Sequence, residues 1–454
     1  MSSALGSTAS PQRRRLVVGI AAVAGAALLL SACGGSSSGS TAGASGGASS
    51  GGGGGKVKLV WWHNANQEPG LSFYKKIADE YTAAHPNVTI EQVPLQSEDM
   101  KAKLQVAMQS PNPPDLIHQW GGGWMKDQVE AGKLMDLTAD AKTEADQLAG
   151  NTGWQLDGKV YGLNFTLGVV GFWYRKDLFS KAGITAPPAT MAELLTDAGK
   201  LRAAGIEPVA VGAKDKWPTA FWYDYLAVRE CSKDTLGGAV KSLKFDDPCW
   251  VKAATDFQSV IDAKPFAKGF LGTSAQQGAG SSAGQIANGK AAMELMGQWN
   301  PSVIQGLTPG STATSPKPLS PDVLGWFPFP SVAGAAGTQD GGMGGGDGYS
   351  CSAKAPKECV DFLKFFTSAD VQKRFAATTG QLPANKAASA SITDPNLKAI
   401  LDARDKSSFV QLYLDVAFGS DVGNALNDAV ALQLAGTAKP DAVVKAIQDA
   451  AASK

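Results

Sequence analysis

Ser282 lies in Gly280-Ser281-Ser282-Ala283-Gly284, the G-x-S-x-G spacing that presents a nucleophilic serine on a strand-to-helix turn. Acyl transfer from such a turn needs a histidine base later in the chain, and the three histidines, His63, His85 and His118, all precede it. The stretch is also rich in Ser, Gly and Ala, where that spacing arises from composition alone, and no strand pattern leads into it. Gly284 to Ala291 comes within one residue of the phosphate-cradling G-x-x-x-x-G-K-[ST], but Ala291 lacks the hydroxyl that would hold Mg²⁺. Gly289-Lys290 is therefore read as the turn before a strand over 291–296. The histidines have no metal-ligand spacing and are read as loop or surface residues, so no metal and no cofactor is expected.

The chain around these motifs alternates. Lys56-Val57-Lys58-Leu59-Val60-Trp61-Trp62 reads as a first strand, followed by a helix over 71–85 with Phe73, Tyr74, Ile77 and Tyr81 on one face. A second strand over 88–93, a helix over 99–109 and a buried strand over 115–118 follow, which is the pattern of a parallel α/β sheet. In such open sheets ligands sit beyond the carboxyl ends of the strands, so the loops 63–67 and 119–124 share one rim, which His63 and His118 border. Beyond an apolar run over 160–174 the spacing predicts helices over 191–204, 221–230, 250–263 and 283–289, and a proline-stopped strand over 324–330. Helices over 359–366, 370–378, 407–434 and 442–452 close the chain.

About 400 residues from Lys56 onward are too many for one ordinary core and suit two lobes. Without Arg13, Arg14 and Arg15 the 41 basic residues become 38 against 41 acidic, a formal charge of −3. A weakly acidic chain without basic clusters excludes nucleic acid as a partner. Apart from Cys33 four cysteines remain, and loop-closure entropy favours near neighbours among the three pairings, Cys231 with Cys249 and Cys351 with Cys359. CxxC spacings and histidine partners for a Zn site are missing from the sequence.

The first 32 residues read as an export signal, with Arg13-Arg14-Arg15 ahead of a short apolar run over 16–30. Leu30-Ser31-Ala32-Cys33 resembles a lipobox, in which the chain is cut before Cys33 and the cysteine is lipidated. The triple arginine also begins a twin-arginine pattern, which Leu16-Val17-Val18 does not complete. Acyl chains contribute roughly 0.8 kcal/mol per buried CH₂, so a diacylglycerol plus an N-acyl chain anchors a protein without a membrane span. The Gly, Ser, Ala and Thr tract from Cys33 to Gly55 has little to bury and reads as a tether of roughly 25 Å. The expected location is the extracellular face of the cell membrane, held by lipid.

Five segments in order carry more than composition: Lys58-Leu59-Val60-Trp61-Trp62, Ser110 to Ile117, Gly162 to Asp177, Asn288 to Met293 with Gly297-Gln298-Trp299, and Glu358 to Phe366. Together they resemble the extracellular solute-binding lipoproteins of sugar ABC importers, in particular the maltose-, cellobiose- and xylobiose-type receptors. The resemblance implies an α/β, two-lobe periplasmic-binding-protein-like (type II) clamshell with a hinge between discontinuous lobes. It implies one lobe of 56–165 plus 327–368 and another of 166–326 plus 369–454, crossing near 165, 327 and 368. The implied partners are an oligosaccharide and the permease subunits of the importer, with the chain a monomer and not an enzyme.

Sugar rings offer apolar faces to aromatic rings and hydroxyl edges to amides and carboxylates. At positions matching the family pattern the resemblance assigns ligand contacts to Asn64, Asn66, Gln67, Gln119 and Trp120 in one lobe. In the other it assigns Trp217, Trp222, Trp299 and Phe418, with Gly345, Gly346 and Asp347 in a glycine-rich loop. Trp61, Trp62, Trp173 and Trp326 lie within strands and are read as core. Xylobiose or a similar β-linked disaccharide is the expected ligand. The alternatives are an exported glycoside hydrolase with paired carboxylates in a Trp-lined cleft, and a receptor for a charged non-sugar solute, for which the rim supplies little charge apart from Asp347. Substituting Cys33→Ser should release the chain from the membrane fraction into the medium, and an immunoblot of the two fractions measures it.

Overall fold

The computed structural model describes residues 55–312 and 315–453; the signal segment, Cys33 and the tether up to residue 54 lie outside the described residues. Among the described residues three larger sheets, beside one two-stranded pair, organise the fold. In the first, Val57–His63 pairs in parallel with Val88–Pro94 on one side and with Leu116–Gln119 on the other, as the alternation predicts. The Asp115 carboxylate accepts the Val60 N–H at 2.8 Å and so sets the register at which the third strand begins. Gly348–Cys351 then adds antiparallel to Leu116–Gln119, and Leu163–Asn164 closes the sheet.

The first core is aromatic. Trp61 stacks on Tyr74 at 5.2 Å and meets the edges of Phe362 and Phe366. The last two lie on helix Lys357–Phe366, whose buried residues Cys359, Val360, Phe362, Leu363 and Phe366 recur at helical spacing and form one stripe. The next helix, Ala369–Thr379, starts where the Ser368 hydroxyl accepts the Val371 N–H. Its Val371 and Phe375 pack in this same core. The expected crossing near 368 therefore moves: Leu382 belongs to the second core, but Ala384 after it packs in the first again, so the chain returns to the first core well past residue 368.

The second sheet runs Leu324–Pro328, Gly171–Arg175, Ala291–Met296, Glu207–Ala210, with Ala291–Met296 buried throughout. Gly289, with φ of +66°, makes the turn expected before that strand. Helix Trp217–Glu230 is buried along its whole length against this sheet and its neighbours. The disulfides join Cys231 to Cys249 and Cys351 to Cys359.

The third sheet links the lobes: Gly342–Gly345 lies between Val410–Leu412 and Gly168–Val169. It overturns the single helix expected over 407–434. Val410, Gln411 and Leu412 lie in parallel register beside Gly342, Met343 and Gly344 instead of continuing a helix, and the Gly342 N–H donates to the Phe409 carbonyl at 2.9 Å. A short helix, Leu414–Ala417, follows, and Gly419, at φ +83°, turns the chain into helix Ser420–Leu434.

Arg229, 2 % exposed, holds the approach to this sheet. Its guanidinium donates to the carbonyls of Phe329 (3.0 Å), Pro330 (3.2 Å), Thr338 (3.1 Å) and Gly341 (2.8 Å). The side chain thus ties together the ends of the segment that leaves the second sheet. Arg229→Met keeps the aliphatic stem but strands these acceptors, and should cost at least about 3 kcal/mol in urea unfolding; a loss below about 1 kcal/mol would show that the crossover holds its own shape.

Candidate ligand cleft

A cavity of about 1010 Å³, its open mouth included, lies where the two lobes meet. Asn64, Asn66, Gln67 and Glu68 reach it from the end of strand Val57–His63, Glu98 and Lys101 from helix Ser97–Ala107, and Trp120 from the end of strand Leu116–Gln119. The second lobe faces them with Trp217 and Phe221 at the start of helix Trp217–Glu230, and with Trp299, Tyr413 and Asp415. Gly346 and Asp347 line it where the chain crosses.

The aromatic groups of the second lobe support one another. Tyr413 stacks on Phe221 at 5.3 Å, and the Trp217 and Trp299 centroids are 6.1 Å apart. Gly297 makes room for this arrangement, because a Cβ there would lie 2.1 Å from the Trp299 ring. Its carbonyl accepts the Trp173 indole N–H at 2.9 Å. Beneath, Asn300 donates to the Glu294 carboxylate at 2.8 Å, and burial pushes the Glu294 carboxyl up to about 7. Opposite, Trp120 stands edge-on to His118, 4.5 Å away.

The charged groups form two sets. Lys101 Nζ is 3.2 Å from Asp415 across the lobes and 3.4 Å from Glu98 on its own helix, and sits 5.4 Å from the Trp120 ring centre. Burial disfavours the Lys101 ammonium, but Asp415 and Glu98 outweigh it and the net shift is upward. Burial lifts Glu98 above the usual carboxylate range, with Lys101 opposing. Asp415 also accepts from Asn427 at 3.0 Å, and the next residue back, Leu414, donates its N–H to buried Asp224 at 3.2 Å. In the second set, Asp347 Oδ1 lies 3.1 Å from Nε2 of His118. The Asp347 N–H donates to Thr166 at 2.9 Å, which fixes the carboxylate at the crossing.

The model of one family, described as bacterial extracellular solute-binding protein, matches residues 64–373. The chain belongs to that family. An ABC transporter extracellular-binding protein of Pyrococcus horikoshii is 24% identical over 393 residues, 82% of this chain and 81% of its own. A lactose-binding protein of Rhizobium radiobacter is 26% identical over 318 residues, 66% of this chain and 68% of its own. A solved structure from work on xylan utilization by Caldanaerobius polysaccharolyticus has a TM-score of 0.77 at 26% identity, covering 86% of this chain and 99% of that one. The fold is the two-lobe type II α/β arrangement that the resemblance implies. A solute-binding protein is not an enzyme, and the cleft carboxylates are read as hydrogen-bonding groups rather than as an acid/base pair.

Eight of the twelve residues expected at the ligand line the cavity of this solute-binding protein: Asn64, Asn66, Gln67, Trp120, Trp217, Trp299, Gly346 and Asp347. Four do not. Trp222, 1 % exposed, packs edge-on against Phe172 and Phe266, and Phe418 against Phe245 and Trp250, so both are core. Gln119 is buried and donates to Gln128 at 3.0 Å. Gly345 backs Tyr413, whose ring a Cβ there would meet at 2.8 Å. His63 and His118, expected in loops or at the surface, are both wholly buried.

Glu68, Glu98, Lys101, Phe221, Tyr413 and Asp415 were absent from the expected set. Glu98 and Lys101 follow the carboxyl end of the second strand, so the rim rule that points to 63–67 also reaches them. Tyr413 and Asp415 had no such signal, because their segment carries a helical apolar spacing. Among the described residues no helix is long and apolar enough to cross a membrane, and no group of three or more His, Cys, Asp or Glu residues is placed to hold a metal ion.

Gly297→Ala should cost about 1 to 3 kcal/mol by forcing the Trp299 ring aside. The same substitution in a Trp299→Ala background should cost far less, and a double-mutant cycle by urea unfolding measures that coupling. A second expectation concerns acid. His63 Nε2 is 3.1 Å from Gln92 Oε1, and burial brings its pKa from 6.5 down to about 3. The folded ring stays neutral while the unfolded ring takes a proton, so stability falls as pH drops from 6.5 towards 3, in total on the order of 4 kcal/mol. Glu294 acts the other way, its contribution lost as pH rises from 4.5 to 7. The difference between wild type and His63→Gln in unfolding free energy against pH isolates the histidine.

Proposed function

We propose that this solute-binding protein captures an oligosaccharide between its lobes and passes it to the permease of an ABC importer, held at the membrane by lipid on Cys33. The observation that carries the proposal is the meeting of aromatic surfaces from both lobes in one cavity: Trp120 on one side, Trp217, Phe221, Trp299 and Tyr413 on the other. Sugar rings present apolar faces to such rings, and Asn64, Asn66, Gln67, Gln276 and Gln381 supply both donors and acceptors to hydroxyls at the edges. The ion pair of Lys101 with Asp415 joins groups from opposite lobes, so hinge closure brings both halves onto the ligand. The lactose-binding relative and the structure from xylan utilization support a sugar, and a β-linked disaccharide such as xylobiose is the first to try.

The carboxylates of Glu98, Asp347 and Asp415 favour one other reading, a polyamine or similar cation. A thermal-shift and calorimetric screen of xylo-, cello-, malto- and chito-oligosaccharides beside spermidine separates the two. A sugar present at 100 times its Kd should add about 2.7 kcal/mol of stability, leave the solution chemically unchanged, and lose its effect with Trp299→Ala. Stabilisation by spermidine and by no saccharide would replace the sugar reading with the cation one.

A further inference from the structure

The charged groups facing the cavity are unequal: Glu68, Glu98, Asp347 and Asp415 supply four carboxylates, and Lys101 is the cation among the lining residues. Lys101 is also occupied. Its side chain is 13 % exposed and its ammonium already touches Glu98 and Asp415. Glu68 accepts from the Ser72 N–H at 3.2 Å and hydroxyl at 2.8 Å, so it answers the start of helix Gly70–Ala84 rather than a cation. Asp347 faces the cavity with 19 % of its side chain exposed, beside His118.

A ligand carboxylate entering here would add a further negative charge to a partly dry site. It can reach Lys101 only by displacing Glu98 or Asp415, and the displaced group is then buried and unpaired, which is the costly state of an ion pair. Like charges placed together across an interface are a recognised way of refusing a ligand. We infer that the cleft admits uncharged oligosaccharides and refuses those that carry a uronic acid. The inference rests on the saccharide reading above and narrows it: the charged set acts as a filter, and the aromatic rings as the grip.

The test compares sugars of one skeleton that differ in charge, using calorimetry on the purified full chain. Cellotriose, maltotriose and N-acetylated chitotriose are the neutral probes, each beside the form with one C6 hydroxymethyl group replaced by a carboxylate and the methyl ester of that uronate; xylotriose, which has no C6, is a further neutral probe. The uronate should bind at least about 100-fold more weakly than the neutral parent at low salt, and the ester, bulkier but uncharged, should recover most of the loss. Glu98→Gln partly frees Lys101 and should raise the ratio of uronate to neutral affinity about 10-fold. Uronates binding within about 3-fold of the parents or tighter, or esters as weak as the uronates, would overturn the charge filter and leave the saccharide reading standing. If none of the trisaccharides binds, neutral or acidic, and no disaccharide of the same series binds either, the saccharide reading falls and this inference with it.

Discussion

Close contact between chain crossings is the constraint on which the cleft depends. At Gly344 a Cβ would lie 2.2 Å from the carbonyl oxygen of Gly168, and at Gly346 it would lie 1.7 Å from that of Thr166. Only residues without a side chain allow these strands to run this close, and the closeness lets the linking sheet form between the lobes. Asp347 follows directly and is locked by Thr166, while Gly345 leaves space for Tyr413. The glycines expected to admit a ligand to the backbone thus act mainly by admitting one segment of chain to another.

The electrostatic character of the cleft follows from the same crossings. Asp415 reaches Lys101 because strand Val410–Leu412 joins the linking sheet and the helix after it turns toward the first lobe. A lysine between two carboxylates in a sheltered place keeps its charge but has few donors to spare. Deeper down, burial works against charge: His63 stays neutral, and the carboxyls of Asp224 and Glu294 are driven upward. The cleft wall is therefore charged and internally paired, over an interior that resists ionisation.

Much of this was legible in the chain. The strand ending at His63 and the loop after it were readable because apolar alternation stops abruptly at a run of amides, and ligands gather at the ends of parallel strands. The same rule reaches Glu98 and Lys101. It fails at Tyr413 and Asp415, where apolar residues at helical spacing hide a strand that pairs with partners some 68 residues earlier, as Val410 does with Gly342. It also fails for Trp222 and Phe418, since a large aromatic residue is equally suited to a platform and to a core. The placing of helix Ala369–Thr379 with the first lobe turned on Phe375 meeting Phe73 and Phe165, contacts far apart in sequence.

The sequence by itself determined the parallel α/β start of the first lobe, the near-neighbour cysteine pairs, the amide-rich rim and the family, because each rests on local spacing or short loops. Tertiary structure alone decided which tryptophans face the cleft, that Lys101 is spent on Asp415, and that helix Ala369–Thr379 packs with the first core. Those outcomes depend on burial and on charges brought together from distant segments, and neither burial nor distance through space is written in the order of residues.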